Sequence, residues 1–286
     1  MYRVTVRDPD TGANAAAPPD AAARAIPERD ILPTVTMIGG GQLARMTHQA
    51  SIALGECLRV LAASATDPAA QVSADVVLGS HDDLDDLRRA ATGAVALTFD
   101  HEGVPLEHLR VLESEGVAVR PPSAALVFAQ DKRAMRVKLS ELGLPVPDFA
   151  DLAGDLGLAR GRLVEFGERH GWNIVLKAVR GGYDGRGVWI VDNGPDALAV
   201  FDEQFAAGVD LIAEEKVQMR RELSAMIARS PFGQGGAWPV VETVQRRGQC
   251  AVVIAPAPDL SAETAERAQE MSLRLASELG VVWAKA

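Results

Sequence analysis

Lys177 sits in an apolar run, NIVLKAV (173–179), just before the segment GGYDGRG (181–187). Four of those seven residues are glycine, and the other three are Tyr183, Asp184 and Arg186. A lysine among valine, leucine and alanine needs an anionic partner, because burying an unpaired ammonium is costly. A glycine-rich hairpin can fold over a triphosphate and offer backbone N–H donors without side-chain clash. The same composition also makes a plain surface hairpin. No G-K-[ST] follows, so this is not a Walker loop, and the flanks read as two strands rather than the strand and helix of a dinucleotide fingerprint. Downstream, Glu214 and Glu215 end another apolar run and Glu222 opens the next. Carboxylates at strand ends suit ribose hydroxyls or an adenine amino group, and also suit simple solvation. The order along the chain is Lys132, Lys177, the glycine hairpin, Glu214-x-x-Val217 and Glu222.

A second glycine cluster, Gly39-Gly40-Gly41-Gln42-Leu43-Ala44, fits G-x-G-x-x-A between a β-rich run and a helical pattern. Such a turn brings backbone N–H groups and a helix N-terminus close to a phosphate. The next strand ends VLAASAT with no acid before Asp67, which argues against a nicotinamide dinucleotide. A phosphate of another kind and a plain tight turn both remain open.

The elements that must hold these residues follow from periodicity. Thr34–Ile38 reads as a strand, and the helix after it places Leu43, Met46, Ala50 and Leu54 on one face. Short buried strands then alternate with amphipathic helices up to RPPS (120–123), the pattern of a doubly wound parallel sheet. Two short helices reach Gly143, and another covers DLGLARGRLVEFGERHGW. Strands at 173–179 and 188–192 flank the glycine hairpin, followed by a helix near PDALAVFDEQF and the strand DLIAEEKV. The remainder mixes hairpins with a helix at SAETAERAQEMSLRLASELG and reads as α+β. Residues 1–32, rich in Ala, Pro and Asp with no apolar period, read as a disordered leader or as a product of the assigned start. The expected division is 33–121 for the N-terminal α/β domain and 122–286 for the α+β domain.

The 286 residues carry a formal charge of 29 − 39 = −10, which argues against general nucleic-acid binding but not against a small anion. No apolar stretch is long enough to span a bilayer, and no basic segment leads into an apolar one near the start. Cys57 and Cys250 stand far apart and read as reduced, buried thiols of a cytoplasmic protein. The five histidines (48, 81, 101, 108 and 170) form no zinc pattern.

Taken together, the motifs GGGQLARM (39–46), TFDHE (98–102), AQDK (129–132), LKAVRGGYDGRGV (176–188), AEEKVQMRRELS (213–224) and IAPAP (254–258) resemble the ATP-grasp enzymes. Within them, the chain resembles the 5-(carboxyamino)imidazole ribonucleotide synthases, from about Thr34 to Val282. GGYDGRG with GGGQLARM is specific, whereas the glycine hairpin alone also matches related carboxylases. The resemblance implies an α/β domain followed by an ATP-grasp domain with a lid subdomain at about 145–217. It implies ATP-dependent carboxylation of 5-aminoimidazole ribonucleotide by bicarbonate, through carboxyphosphate, in purine biosynthesis. ATP with Mg²⁺, small-molecule substrates and a homodimer are implied with it. Lys132 and Lys177 then match phosphate ligands, with Lys132 standing where Arg is common. Gly182, Tyr183, Asp184, Gly185, Arg186, Gly187 and Val188 match the loop over the phosphates. Glu214, Glu215, Lys216 and Val217 match the adenine-contacting segment, and Glu222 the ribose-contacting acid. Tyr183, Asp184 and Arg186 are the expected catalytic group at the ribonucleotide and bicarbonate end. Gly41, Gln42, Leu43 and Glu102 are expected on the ribonucleotide. Gln245 stands where some members carry a nucleotide-contacting His, and Gly103 replaces a bulkier residue.

The family's metal-binding segments follow ELGVV, whereas this sequence reads ELGVVWAKA and stops at Ala286. No metal ligand is assigned, and the expectation is an ATP-grasp domain incomplete at its C-terminal end, with little synthase activity alone and a tendency to aggregate. Two other readings compete: a different ATP-grasp ligase, and a non-catalytic nucleotide-binding fragment.

Overall fold

In the computed structural model, residues 32–182 and 185–282 are described. The chain separates into Met1–Leu32 and Pro33–Ala286. The leader expected at 1–32 lies, except for Leu32, outside the described residues. Every element below belongs to the second unit.

The first half is a parallel sheet. β1 (Thr34–Ile38), α1 (Gln42–Leu54), β2 (Cys57–Ala62), β3 (Asp75–Leu78), α2 (Leu84–Ala91), β4 (Ala96–Phe99) and α3 (Leu106–Ser114) alternate as the periodicity predicts. The strand order is β3-β2-β1-β4, all parallel, and Val119 adds a parallel bridge to Leu97. The short apolar runs are buried on both faces. Ile38, Leu61 and Leu97 meet Leu87, Leu109, Leu112 and Leu126 on one side. Met37, Leu58 and Val60 meet Ala44 and Ala69 on the other. Because β1 leads straight into the Gly39–Gly41 turn, the sheet sets that turn at the carboxyl ends of the strands, where ligands of open α/β sheets bind.

α1 forms as a helix with Leu43, Met46, Ala50 and Leu54 all exposed, and Ala44 and Ser51 are its buried residues. The sheet surface beneath α1 is already filled by Met37, Leu58 and Val60, so the helix approaches through its small residues and leaves the larger ones outside.

The second half begins with α4 (Ser123–Gln130), α5 (Lys132–Glu141), β5 (Phe149–Asp151) and α6 (Leu156–Arg169). Next come β6 (Ile174–Ala178), β7 (Val188–Val191), α7 (Gly194–Ala206) and β8 (Leu211–Glu215). The antiparallel order is β5-β8-β6-β7. Alternation along β6 buries Ile174, Leu176 and Ala178 toward the side covered by α6 and α7, where Leu163, Phe166 and Phe201 pack. Val175 and Lys177 point to the opposite side. Helix starts follow their capping residues: Asp131, Asp155 and Asn193 each accept a backbone N–H of the first turn.

The rest of the described chain comprises β9 (Glu222–Ser224), β10 (Ile227–Arg229), β11 (Gly235–Ala237), β12 (Val241–Arg246), β13 (Gln249–Ile254) and α8 (Ala262–Glu278). β13-β12-β9 form one antiparallel sheet and β10-β11 a hairpin. Every residue of β13 is exposed, including Cys250, and Cys57 is exposed at the start of β2. Both free thiols therefore correct the expectation of buried ones: each sits where a strand has nothing packed over it.

Candidate functional site

Lys177 finds its anionic partner inside the protein. Its Nζ donates to Glu214 Oε2 at 2.6 Å. In the β6–β8 register Lys177 lies opposite Ile212, so Glu214 is the diagonal neighbour on the same face. Glu214 is 3% exposed and also accepts from Arg136 of α5, at 2.8 Å through Nε and 3.3 Å through Nη2. Burial alone raises the Glu214 carboxyl, and the hydrogen bonds from Lys177 and Arg136 outweigh it, so its pKa is lowered. A second ion pair, Arg133 to Asp151 at 2.7 Å, ties α5 to β5. The side of the sheet that α6 and α7 leave open thus carries a cationic bed around one buried carboxylate.

Lys132 opens α5 beside this bed. Its backbone N–H donates to Val179 O at 3.0 Å, and its Nζ lies 3.4 Å from Gly182 O. Burial, reinforced by the charge of Lys177, lowers its pKa. Asp131 caps α5 through Ala134 N at 2.8 Å and pairs with Arg180 at 3.0 Å, one residue before the glycine segment. At the base of that segment, Ala178 N donates to Gly187 O at 2.8 Å. Gly187 has φ 67°, and a Cβ there would stand 3.0 Å from Ala178 Cβ and 3.3 Å from Gly182 Cα. Only glycine closes this neck. Gly185 approaches the β12–β13 turn, where an added Cβ would stand 3.1 Å from Gly248 Cα. Arg186 is exposed and Val188 starts β7. Tyr183 and Asp184 lie outside the described residues.

The segment after β8 runs along the same sheet end. Glu215 N donates to Asp148 O at 2.9 Å, and Lys216 N to Asn173 O at 3.1 Å. The Glu215 carboxylate accepts from Asp148 N at 3.1 Å and lies 4.0 Å from His170 Nδ1. Val217 is exposed. The Glu214 side chain is turned inward, which leaves backbone groups and Val217 exposed along this segment. Glu222 lies on the other sheet, opposite Thr243 of β12, and Gln245 is exposed beyond a bulge between Val244 and Gln245.

The residues expected on a ribonucleotide divide between two cavities. Gly41, Gln42 and Leu43 line one of about 490 Å³ with Asp67, Asp100 and His81. Glu102 lines another, of about 610 Å³, with Lys132, Arg180, Gly181 and Gly182. His101 lines both. Its Nδ1 accepts from Gly103 N at 3.0 Å, which requires that nitrogen to be unprotonated. Burial, then the neighbouring His81 at 4.7 Å between ring centroids, lowers its pKa.

Among the described residues no group of three or more His, Cys, Asp or Glu is placed to hold a metal ion. Glu242, the nearest acid to Glu222 in register, is committed to Arg221 at 3.2 Å. Lys132 and Lys177, with Arg136 behind, form a cationic cluster beside the glycine backbone. Sequence reasoning missed Arg136. Its spacing of four from Lys132 along one helix was the available signal.

Comparison with known proteins bears on this arrangement. Residues 137–284, more than half of the chain, match the ATP-grasp domain family. Residues 32–130 match the ribonucleotide synthetase pre-ATP-grasp domain. An N5-carboxyaminoimidazole ribonucleotide synthase of Mycobacterium leprae is 55% identical over 265 residues, covering 90% of this chain and 60% of the relative. The chain therefore spans less than two thirds of the length of such curated relatives. A synthetase of that name from Thermus thermophilus superposes with a TM-score of 0.77 at 32% identity, covering 86% of this chain and 64% of that one. An N5-carboxyaminoimidazole synthase from Aspergillus clavatus, solved with ADP and 5-aminoimidazole ribonucleotide, gives 0.76 at 27% identity, covering 86% and 62%.

Proposed function

We propose a function from the premise that this chain belongs to the ATP-grasp family: it is the nucleotide- and substrate-binding part of an enzyme that carboxylates 5-aminoimidazole ribonucleotide with bicarbonate and ATP. The observation that carries the reading is the cationic bed of Lys132, Lys177 and Arg136 at the foot of the glycine hairpin, with Glu102 across the adjoining cleft. The relatives named above, one of them solved with ADP and the ribonucleotide, support it.

The chemistry asks for positioning and charge stabilisation rather than a protein nucleophile. Bicarbonate oxygen attacks the γ-phosphorus of ATP, the bond to the β,γ-bridging oxygen breaks, and ADP leaves with that electron pair. The product, carboxyphosphate, releases phosphate as its carboxyl carbon is delivered as CO2. The substrate amine attacks that carbon and loses a proton, giving the carboxyamino product. In this chain Lys177 and Lys132 hold the phosphates, and the Gly182–Gly187 neck lets backbone N–H groups approach them. Glu214 fixes Lys177 from beneath, and the Glu215–Val217 segment offers backbone to the base. Arg186, with Tyr183 and Asp184, belongs to the ribonucleotide and bicarbonate end. Glu102 and the Gly41–Leu43 turn flank the ribonucleotide through the two cavities joined at His101. Mg²⁺ brought with ATP would supply charge neutralisation at the phosphates.

Product analysis tests the reading. The chain is incubated with ATP, labelled bicarbonate and either 5-aminoimidazole ribonucleotide or glycinamide ribonucleotide. Label incorporated only with the aminoimidazole supports the assignment. Turnover of the glycinamide substrate instead would make the chain a different ATP-grasp ligase, and nucleotide binding without any turnover would make it a binding fragment.

A further inference from the structure

Gln130, Asp131 and Lys132 at the α4–α5 junction hold two opposite sides of the larger cavity. Gln130 ends α4, Asp131 both ends α4 and caps α5, and Lys132 begins α5. Lys132 reaches Gly182 O, and Asp131 holds Arg180. Gln130 goes the other way, with Nε2 donating to Glu102 O at 2.6 Å and to Val104 O at 2.8 Å. Both partners are carbonyl oxygens, so the amide must present its NH2 group to them. Glu102, Gln130 and Lys132 all line the cavity. At the 102–104 turn Val104 is buried in the core with Leu109 and Leu126, whereas Gly103 contributes no side chain and its N–H is spent on His101. The two carbonyl contacts fix the backbone on either side of Gly103 to the end of α4, two residues before Lys132.

We propose that Gln130 is a positioning residue that sets Glu102 against the ribonucleotide while Asp131 and Lys132, in the same junction, set the phosphate side. The inference rests on the function proposed above. Gln130 acts through Glu102 and does not itself hold the nucleotide. Because the three residues are consecutive, the contacts that place the two sides of the site start within two residues of each other, which suits holding the amine and the phosphoryl group in register.

The test uses the full chain with Gln130→Met, which keeps length and removes both donors without adding charge, and Gln130→Glu, which places oxygens against the two carbonyls. Affinities for ADP, and for 5-aminoimidazole ribonucleotide in the presence of ADP, are measured by calorimetry. Amide exchange is followed at 102–104 and at 181–182. The expected result is a ribonucleotide affinity weakened about tenfold, the scale of one lost hydrogen bond, with ADP affinity within about twofold. Exchange should accelerate at 102–104 and hold at 181–182, with the Glu variant more affected than the Met variant. Unchanged exchange at 102–104, or ADP affinity falling in step with the ribonucleotide, would overturn the proposal. If the unaltered chain binds ADP but not the ribonucleotide, the proposed function fails. The exchange result then decides the role of Gln130 by itself.

Discussion

Replacing Lys177 by Met removes the ammonium and keeps most of the side chain's length, which separates its two duties. In the folded chain it stabilises Glu214, which is 3% exposed and would keep only Arg136 as a partner. A hydrogen bond to a charged group contributes about 1.5–3 kcal/mol. With Arg136 still bonded through two nitrogens, the loss should fall near ~2 kcal/mol. That lowers the melting midpoint by roughly 4–8 °C for a chain of this size. The second duty is to a nucleotide phosphate. Truncating one member of a desolvated, hydrogen-bonded charge pair costs about 2–5 kcal/mol of binding. At about 1.4 kcal/mol per factor of ten, that is a loss of ~30-fold or more in ADP affinity. Thermal scanning and calorimetric titration of the same preparation read both numbers. A lowered midpoint with ADP affinity within about threefold would refute the phosphate role and leave Lys177 as a counter-ion for Glu214 alone.

Gly187→Ala places a Cβ 3.0 Å from Ala178 Cβ at φ 67°, so it should destabilise the chain by about 1–2 kcal/mol and weaken ADP, readable in the same two assays. The lowered pKa of Glu214 means that the folded state binds fewer protons than the unfolded one around the ordinary carboxylate range. Its stabilisation is complete above the unfolded value and is lost as pH falls through the folded value. An acid-unfolding series in which Glu214→Gln flattens that loss would bear this out, and an unchanged acid limb would not. His101 follows the same sign: its stabilisation is complete above about pH 6.5 and declines as pH falls through its lowered folded pKa, when a proton on Nδ1 displaces the Gly103 N–H. An NMR titration placing His101 above the ordinary histidine value would contradict that assignment.

Most of the architecture was legible because its signals are local. Runs such as TVTMI and CLRVLA are short, apolar and bounded by glycine, and Asp131, Asp155 and Asn193 announce helix starts. Lys177 was legible as a group in need of an anion, because a lysine in an apolar strand has few alternatives. Its partner was not. Whether Glu214 turns toward ligand or toward Lys177 depends on the β6–β8 register and on Arg136 arriving from α5, neither of which is encoded near Glu214 itself. For α1 the apolar period is real, but the helix packs on β1 and β2 through Ala44, so which face meets the sheet follows from packing rather than from the period. Gly41–Leu43 and Glu102 look like one site from motif order alone, whereas in the fold they line two cavities that share His101.

On the proposed function, one site in this chain takes an adenine nucleotide and an aminoimidazole ribonucleotide together. Calorimetric titration of 5-aminoimidazole ribonucleotide into the chain saturated with ADP tests this most directly, with glycinamide ribonucleotide as the competitor. Saturable binding of the aminoimidazole and none of the glycinamide compound is the predicted result. Equal binding of both, or none of either to a chain that does bind ADP, would contradict it.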